Sequence, residues 1–370
     1  MKKLIIVIAF TFILSGCAEQ KILENISLTT LVGYELEDGG ELTSTAVIRQ
    51  INQDLESRVE IQSASAITSK WARTKIDLKT SKITGSGQLR VVLFGEKLAK
   101  EGLDHNLHIL KMNAEVSNAI YLAIVEGDIK ELLEYKYKNI TDIGQHIYQL
   151  IKQNIEHHHA LSSTLHEVNR DKYSLVKSYA LPVIKKEGEN IIITGMALFK
   201  DSKIVGQITA DDTMYIMMIR ERTHNGTLQL ELPDSALDGL ADKPFDQLAI
   251  ALDTIDSKPI LKLVDPSVPE FDLTIKLECR LREINADIIV DTPEKIKKVE
   301  EEINQKIESE LTRIIKYSQE VNSDIFNFGE RFRARVRNVI VDKEKWYELY
   351  PQMKVNIKVE SQIVRDGVFQ

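Results

Sequence analysis

The sequence predicts an α+β fold made of three mixed α/β domains, with sheets packed against helices and one long amphipathic helix in the C-terminal domain. Strand-like and helix-like stretches alternate through the first half, a run of short strands fills the middle, and the long helical stripe lies in the last third. At 370 residues the chain is too long for one small core. The expected divisions are a leader over 1–16, an N-terminal α/β domain over 17–185, a mainly β domain over 186–265 and a C-terminal α+β domain over 266–370.

The leader has a positive end at Lys2 and Lys3, an apolar core from Leu4 to Ile13, and small residues at Ser15 and Gly16. The uncharged stretch from Leu4 to Ala18 is short of the roughly 20 apolar residues that a spanning helix needs. Leu14-Ser15-Gly16-Cys17 resembles the bacterial lipobox. That resemblance implies cleavage between Gly16 and Cys17, with S-diacylglycerol on the sulfur and an N-palmitoyl group on the new amine. The alternative is simple secretion with a free thiol. One acyl chain holds a protein only marginally, whereas two or three on one residue hold it firmly.

Net charge is −8, and loss of Lys2 and Lys3 makes it −10. Such a chain repels phosphate backbones, so nucleic acid is not an expected partner. It also argues against broad adhesion to anionic lipid, which leaves membrane contact to the anchor. Cys279 lies in the strand-like stretch FDLTIKLECRLREIN and reads as a buried thiol. If Cys17 is acylated, Cys279 has no partner for a disulfide.

Residues 28–36 and 42–51 form a hairpin about Asp38-Gly39-Gly40. Residues 52–69 read as a loop or edge strand, and a helix begins near Ser69. Leu89 to Phe94 is a buried strand, followed by a short helix over Glu96–Glu101 that Gly102 closes. Asp104 caps the next helix, SNAIYLAIVEG is a second buried strand, and Asp128 caps a helix in DIKELLEYK. A longer helix follows, with Thr141 as its cap and Ile143, Ile147, Leu150, Ile151 and Ile155 on one face. From LPVIKKEGEN to TMYIMMIRER the chain reads as an antiparallel meander, continued by GTLQLEL, QLAIALDTIDSKPILKLV and the Cys279 stretch. Pro266 and Pro269 mark the boundary chosen within it.

The long helix starts at Thr292 with Pro293 in its first position. Ile296, Val299, Ile303, Ile307, Leu311 and Ile314 make one apolar stripe on it. The stripe is expected to lie on the domain's own sheet, because the repeat lasts only about three heptads, with a coiled-coil partner as the alternative. SDIFNFGERFR reads as a second amphipathic helix, and Met353 to Ile363 alternates as a strand with one wet face.

Catalytic and metal chemistry finds little footing. His157-His158-His159 point in different directions on a helix, and His105 and His108 lack a third ligand. Gly85-Ser86-Gly87 precedes its strand and is no nucleophile elbow. No P-loop or G-x-G-x-x-G is present. No cofactor, metal or enzyme activity is expected.

GQLRVVLFGEKLAKEGL, YLAIVEGDIKELLE, IIITGMALFKDSKIVGQIT and WYELYPQMKVNIKVESQIVRDG, in that order, resemble the Ger(x)C family. Ala18-Glu19 stands where that family often has Trp-Asp, and an arginine common before the second strand is absent near Lys111 and Met112. The resemblance implies a lipoprotein C subunit of a nutrient germinant receptor on the outer face of the spore's inner membrane. It implies integral membrane A and B subunits as partners, with no direct small-molecule ligand expected for this chain. Trp346, Tyr347 and Tyr350 are a candidate partner surface, and Trp346 filling its own core is the competing reading. The alternative function is a lipoprotein solute-binding component of a transporter. It is weakened by the all-strand middle and the low aromatic content.

Overall fold

The structure is a computed structural model that describes residues 26–50, 58–233, 248–265, 267–285, 290, 292–336 and 340–364. In chain order the first part holds β1 (Ile26–Leu36), β2 (Leu42–Gln50), β3 (Arg58–Ala66), α1 (Ser69–Asp77), β4 (Ile83–Gly85), β5 (Val91–Gly95), α2 (Glu96–Glu101) and α3 (Asp104–Met112). It continues through β6 (Tyr121–Glu126), α4 (Ile129–Glu134), α5 (Ile143–Glu156), α6 (Leu165–Lys172), β7 (Ala180–Glu187), β8 (Asn190–Lys200) and β9 (Lys203–Thr209). These strands form a 9-stranded sheet in the order β3-β2-β1-β5-β6-β7-β8-β9, with the short β4 beside β1.

Its centre, β1-β5-β6-β7, is parallel, and its flanks are antiparallel hairpins. Helices cover both faces, which explains why β5 and β6 are continuously apolar. Val92 and Phe94 face Leu98, Leu107 and Leu165 on one side. Val91 and Leu93 face Ile129, Leu132, Ile147 and Ile151 on the other.

The second part holds α7 (Ala210–Arg220), β10 (Thr223–Leu232), β11 (Leu248–Asp265), β12 (Glu270–Ile284), α8 (Pro293–Glu320), α9 (Phe328–Arg333), α10 (Lys343–Leu349) and β13 (Lys354–Ile363). Its sheet runs β10-β11-β12-β13, antiparallel except for the parallel pair β12-β13. The fold is thus mixed α+β, with two sheets among the described residues.

α8 lies on its own sheet as its stripe predicts. Val299, Ile303, Ile307, Leu311 and Ile314 are buried with Leu273, Ile275 and Leu277. Thr292 caps the helix by accepting the Lys295 amide. α8 also guards the edge of the sheet. Glu308 accepts the Val359 N–H at 2.8 Å, Asn304 the Ser361 N–H at 2.8 Å, and Glu300 the Ile363 N–H at 2.7 Å. Four residues of helix rise about 6 Å and two of strand about 6.7 Å, so helix and edge keep step across all three bonds. Unpaired edge amides are thereby closed to a foreign strand. Cys279 is buried in β12, and burial pushes its thiol up to about 12.

The strand pairing cuts across the expected divisions, and three local expectations are corrected. The segment 186–265 has no sheet of its own: β8 and β9 complete the first sheet, and β10 and β11 open the second. The boundary placed at 266 falls between β11 and β12, which pair along nearly their whole length. That at 185/186 falls inside the β7–β8 hairpin. Hydrogen bonding between strands, which turn-forming residues do not reveal, sets which sheet each strand joins. TMYIMMIR belongs to a helix and not to the meander. Thr209 and Asp212 form a capping box at its start, and apolar side chains on nearly every side are buried. Asp142, not Thr141, caps α5 by accepting the Gln145 amide. The second amphipathic helix shortens to α9 because Asn327 takes a left-handed conformation at φ 64° just before it.

Candidate functional site

Gly16 and Cys17, the expected cleavage and lipid sites, lie outside the described residues. The aromatic segment 346–350 is described, and two of its three aromatic residues face inward. Trp346 is 1% exposed and Tyr350 0%. Neither offers a surface to a partner, which corrects that part of the expectation. The reason is local. Asp342 caps α10 by accepting the Lys345 amide, and the helix then presents Trp346 to the core. The Trp346 ring lies 5.7 Å from Phe332 and 5.6 Å from Tyr350. A Cβ on Gly329 would stand 2.8 Å from Trp346 Cε2 and 2.5 Å from the Val176 carbonyl oxygen, so only glycine fits there.

Polar groups fasten this knot. The Tyr350 hydroxyl and Ser318 Oγ are 2.6 Å apart. Gln319 Nε2 donates to the carbonyls of Tyr350 and Met353, and Asn322 Nδ2 donates to that of Tyr347. Asp324, 2% exposed, accepts the amides of Phe328 at 3.1 Å and Gly329 at 2.7 Å. Burial pushes its carboxyl up to about 6, and the amides hold it from going higher. The Trp346 indole N–H adds a weaker pull on the same carboxyl without closing a hydrogen bond.

The knot is also where the two sheets meet. Tyr347, part-exposed, donates its hydroxyl to Asp201 Oδ1 at 3.0 Å in the β8–β9 turn. Lys343 pairs with the same carboxylate at 2.6 Å, and Lys200 sits 4.4 Å over the Tyr347 ring. Ser323 Oγ donates to the Phe199 carbonyl at 2.8 Å, and the Gln207 amide donates to the Tyr317 hydroxyl at 3.1 Å. Lys177 bonds Glu330 at 2.8 Å. Of the three aromatic residues expected at a partner surface, Trp346 and Tyr350 are internal, and part-exposed Tyr347 sits at the outer edge of the junction. Sequence reasoning missed Asp324, whose signal is an acid four residues before an amide-rich turn.

Two cavities lie elsewhere. One, of ≈ 290 Å³, is open and sits at the carboxyl end of β6 among Glu126, Asp128, Glu131, Lys185 and Lys186. Its charges pair with each other, Lys185 with Glu126 at 2.6 Å and Lys186 with Glu131 at 3.1 Å. The second, of ≈ 50 Å³, is bounded by the Arg49–Asp142 pair. His158, at the end of α5, lies 3.1 Å from the His224 carbonyl oxygen through Nε2. Among the described residues, no group of three or more His, Cys, Asp or Glu side chains could hold a metal, and no helix is long and apolar enough to cross a membrane.

A family model described as "Spore germination protein N-terminal domain" matches residues 19–186, and "Spore germination B3/ GerAC like, C-terminal" matches 194–367. The chain belongs to the Ger(x)C spore germination family. The two matches divide at the β7–β8 hairpin, inside the first sheet. This Ger(x)C chain is 27% identical to the spore germination protein GerQC of Bacillus cereus over 376 residues, which cover 100% of this chain and 99% of that protein. It is 19% identical to the putative spore germination protein YfkR of Bacillus subtilis (strain 168), over 83% of this chain and 79% of that one. The crystal structure of the GerBC protein superposes with a TM-score of 0.54 at 15% identity, covering 90% of this chain and 97% of the other, and so shares the fold.

Proposed function

We propose that this Ger(x)C chain is the lipid-anchored, non-catalytic C subunit of a nutrient germinant receptor. Lipid on Cys17 holds it on the outer face of the spore inner membrane, and it acts through contact with integral membrane A and B subunits. The observation that carries the reading is the span of the family matches, which together run from 19 to 367. Nearly the whole chain beyond the expected cut is germination-family sequence. The matched models and both curated relatives are germination proteins, which favours a receptor subunit over a transporter's solute binder.

Spores lacking this chain are expected to ignore at least one nutrient that wild-type spores answer. Cys17→Ala is expected to reproduce the loss, because no sulfur remains to carry lipid. Unchanged germination of the deletion strain across amino acids, sugars and nucleosides sinks the receptor reading. Mass spectrometry of the mature N-terminal peptide decides the anchor separately, since an unmodified Cys17 removes it.

A further inference from the structure

One corner of the first sheet departs from the rest of the surface. Ile67 is 85% exposed, Trp71 61%, Leu78 83% and Ile83 72%. Ser69, Ala72 and Ile76 are the buried face of α1, so at 100° per residue Trp71 and Leu78 share the opposite face. Lys70 and Lys75 flank that apolar stripe on its two sides. From 67 to 86 the chain carries Lys70, Arg73, Lys75, Lys79 and Lys82 and one carboxylate, Asp77, with Glu115 from outside the segment pairing with Arg73 at 3.7 Å. Lys75 and Lys79 each reach a carbonyl of β3, of Ser65 and Ser63, at 2.6 Å. Among the described residues neither ammonium meets a carboxylate. A protein of net charge −8 has thus gathered a basic rim around an exposed tryptophan.

The position of the corner matters as much as its chemistry. The described fold begins at Ile26, whose register partner in β4 is Ile83 of this same patch. Cys17 lies nine residues before Ile26, a tether of at most about 30 Å.

We propose that this corner is a second membrane contact, docking on an anionic lipid surface. Trp71, Ile67, Leu78 and Ile83 enter the headgroup boundary, and Lys70, Lys79 and their neighbours meet lipid phosphates. The inference rests on the anchored reading for its biological setting, and it adds orientation to it. An acyl anchor alone lets the domain swivel, whereas an anchor and a basic apolar patch on the same side fix which face lies down.

The test uses the full chain on vesicles of phosphatidylglycerol and phosphatidylcholine with brominated acyl chains. Trp346 is buried, so quenching by bromine reports Trp71. Quenching on floating vesicles is expected. It should weaken when phosphatidylglycerol is left out, when salt is raised, and in a Lys70→Glu, Lys79→Glu variant, while flotation persists. Flotation without quenching overturns the docking surface and leaves the anchor standing. Quenching indifferent to lipid charge and to the lysine reversals overturns it too. If Cys17 proves unmodified, charge-dependent quenching still supports the surface. A Trp71 that stays unquenched on lipid but shifts its emission on adding a membrane protein assigns the face to protein and overturns the proposal.

Discussion

Asp324 sits just beyond α8 with its carboxylate oxygens on the amides of Phe328 and Gly329. Its folded pKa of about 6 lies above the ordinary 3.8 because burial disfavours the charge. The folded state therefore holds the proton more tightly than the unfolded one between these values. Stability from this group is fully present below the unfolded pKa and is lost as pH rises through the folded one. A shift of this size is worth about 3 kcal/mol, an order-of-magnitude figure. Asp324→Asn keeps the shape and does not titrate. The wild type's stability advantage over that variant is expected to grow as pH falls from 7 toward 4. Paired urea titrations at the two ends of that range measure it, and an advantage that shrinks toward low pH contradicts the assignment. Aromatic composition points to residues 346–350 but not to their direction. Trp346 and Tyr350 turn inward because Gly329 leaves room for the indole and Ser318 meets the phenol.

The α8 stripe is legible as an element because one face repeats over many turns. Its second task is not, since nothing in the spacing of Glu300, Asn304 and Glu308 says that an edge strand lies beside them. Replacing all three by alanine is expected to leave the helix intact and to strip acceptors from the amides of Val359, Ser361 and Ile363. A part-buried amide left without a partner costs about 1–3 kcal/mol. Hydrogen exchange at these three amides should speed up well beyond that of Leu273 or Ile275 in β12, and the variant should self-associate more readily. Equal exchange in variant and wild type removes the edge-guarding role. α7 escaped the helical reading for the opposite reason. Met214, Tyr215, Ile216, Met218 and Ile219 bury apolar groups around most of the helix, so no single face repeats.

Across the molecule, the two sheets share one interior. Ala180, Met196, Leu198 and Ile208 of the first sheet pack in the same apolar cluster as Leu230, Phe271, Ile303 and Ile314 of the second part. The Asp201 contacts from Tyr347 and Lys343 close the outside of that seam. The halves are therefore expected to melt together. Calorimetry of the full chain should give one cooperative transition, with van't Hoff and calorimetric enthalpies in agreement. Two resolved transitions would show that the shared core does not couple them.

The sequence by itself determined the mixed α+β class, the two buried strands of the first half, the caps at Asp128 and Thr292, and the side of α8 that faces its sheet. Each rests on residues within a few turns of one another, where period and capping chemistry act locally. The tertiary structure alone decided that segment 186–265 is divided between two sheets, that Trp346 and Tyr350 are interior, and that Ile26 enters beside Ile83. Those outcomes depend on strand pairing and side-chain packing between residues far apart in the chain. Their free energy comes from the partner surface, and a local pattern does not contain it.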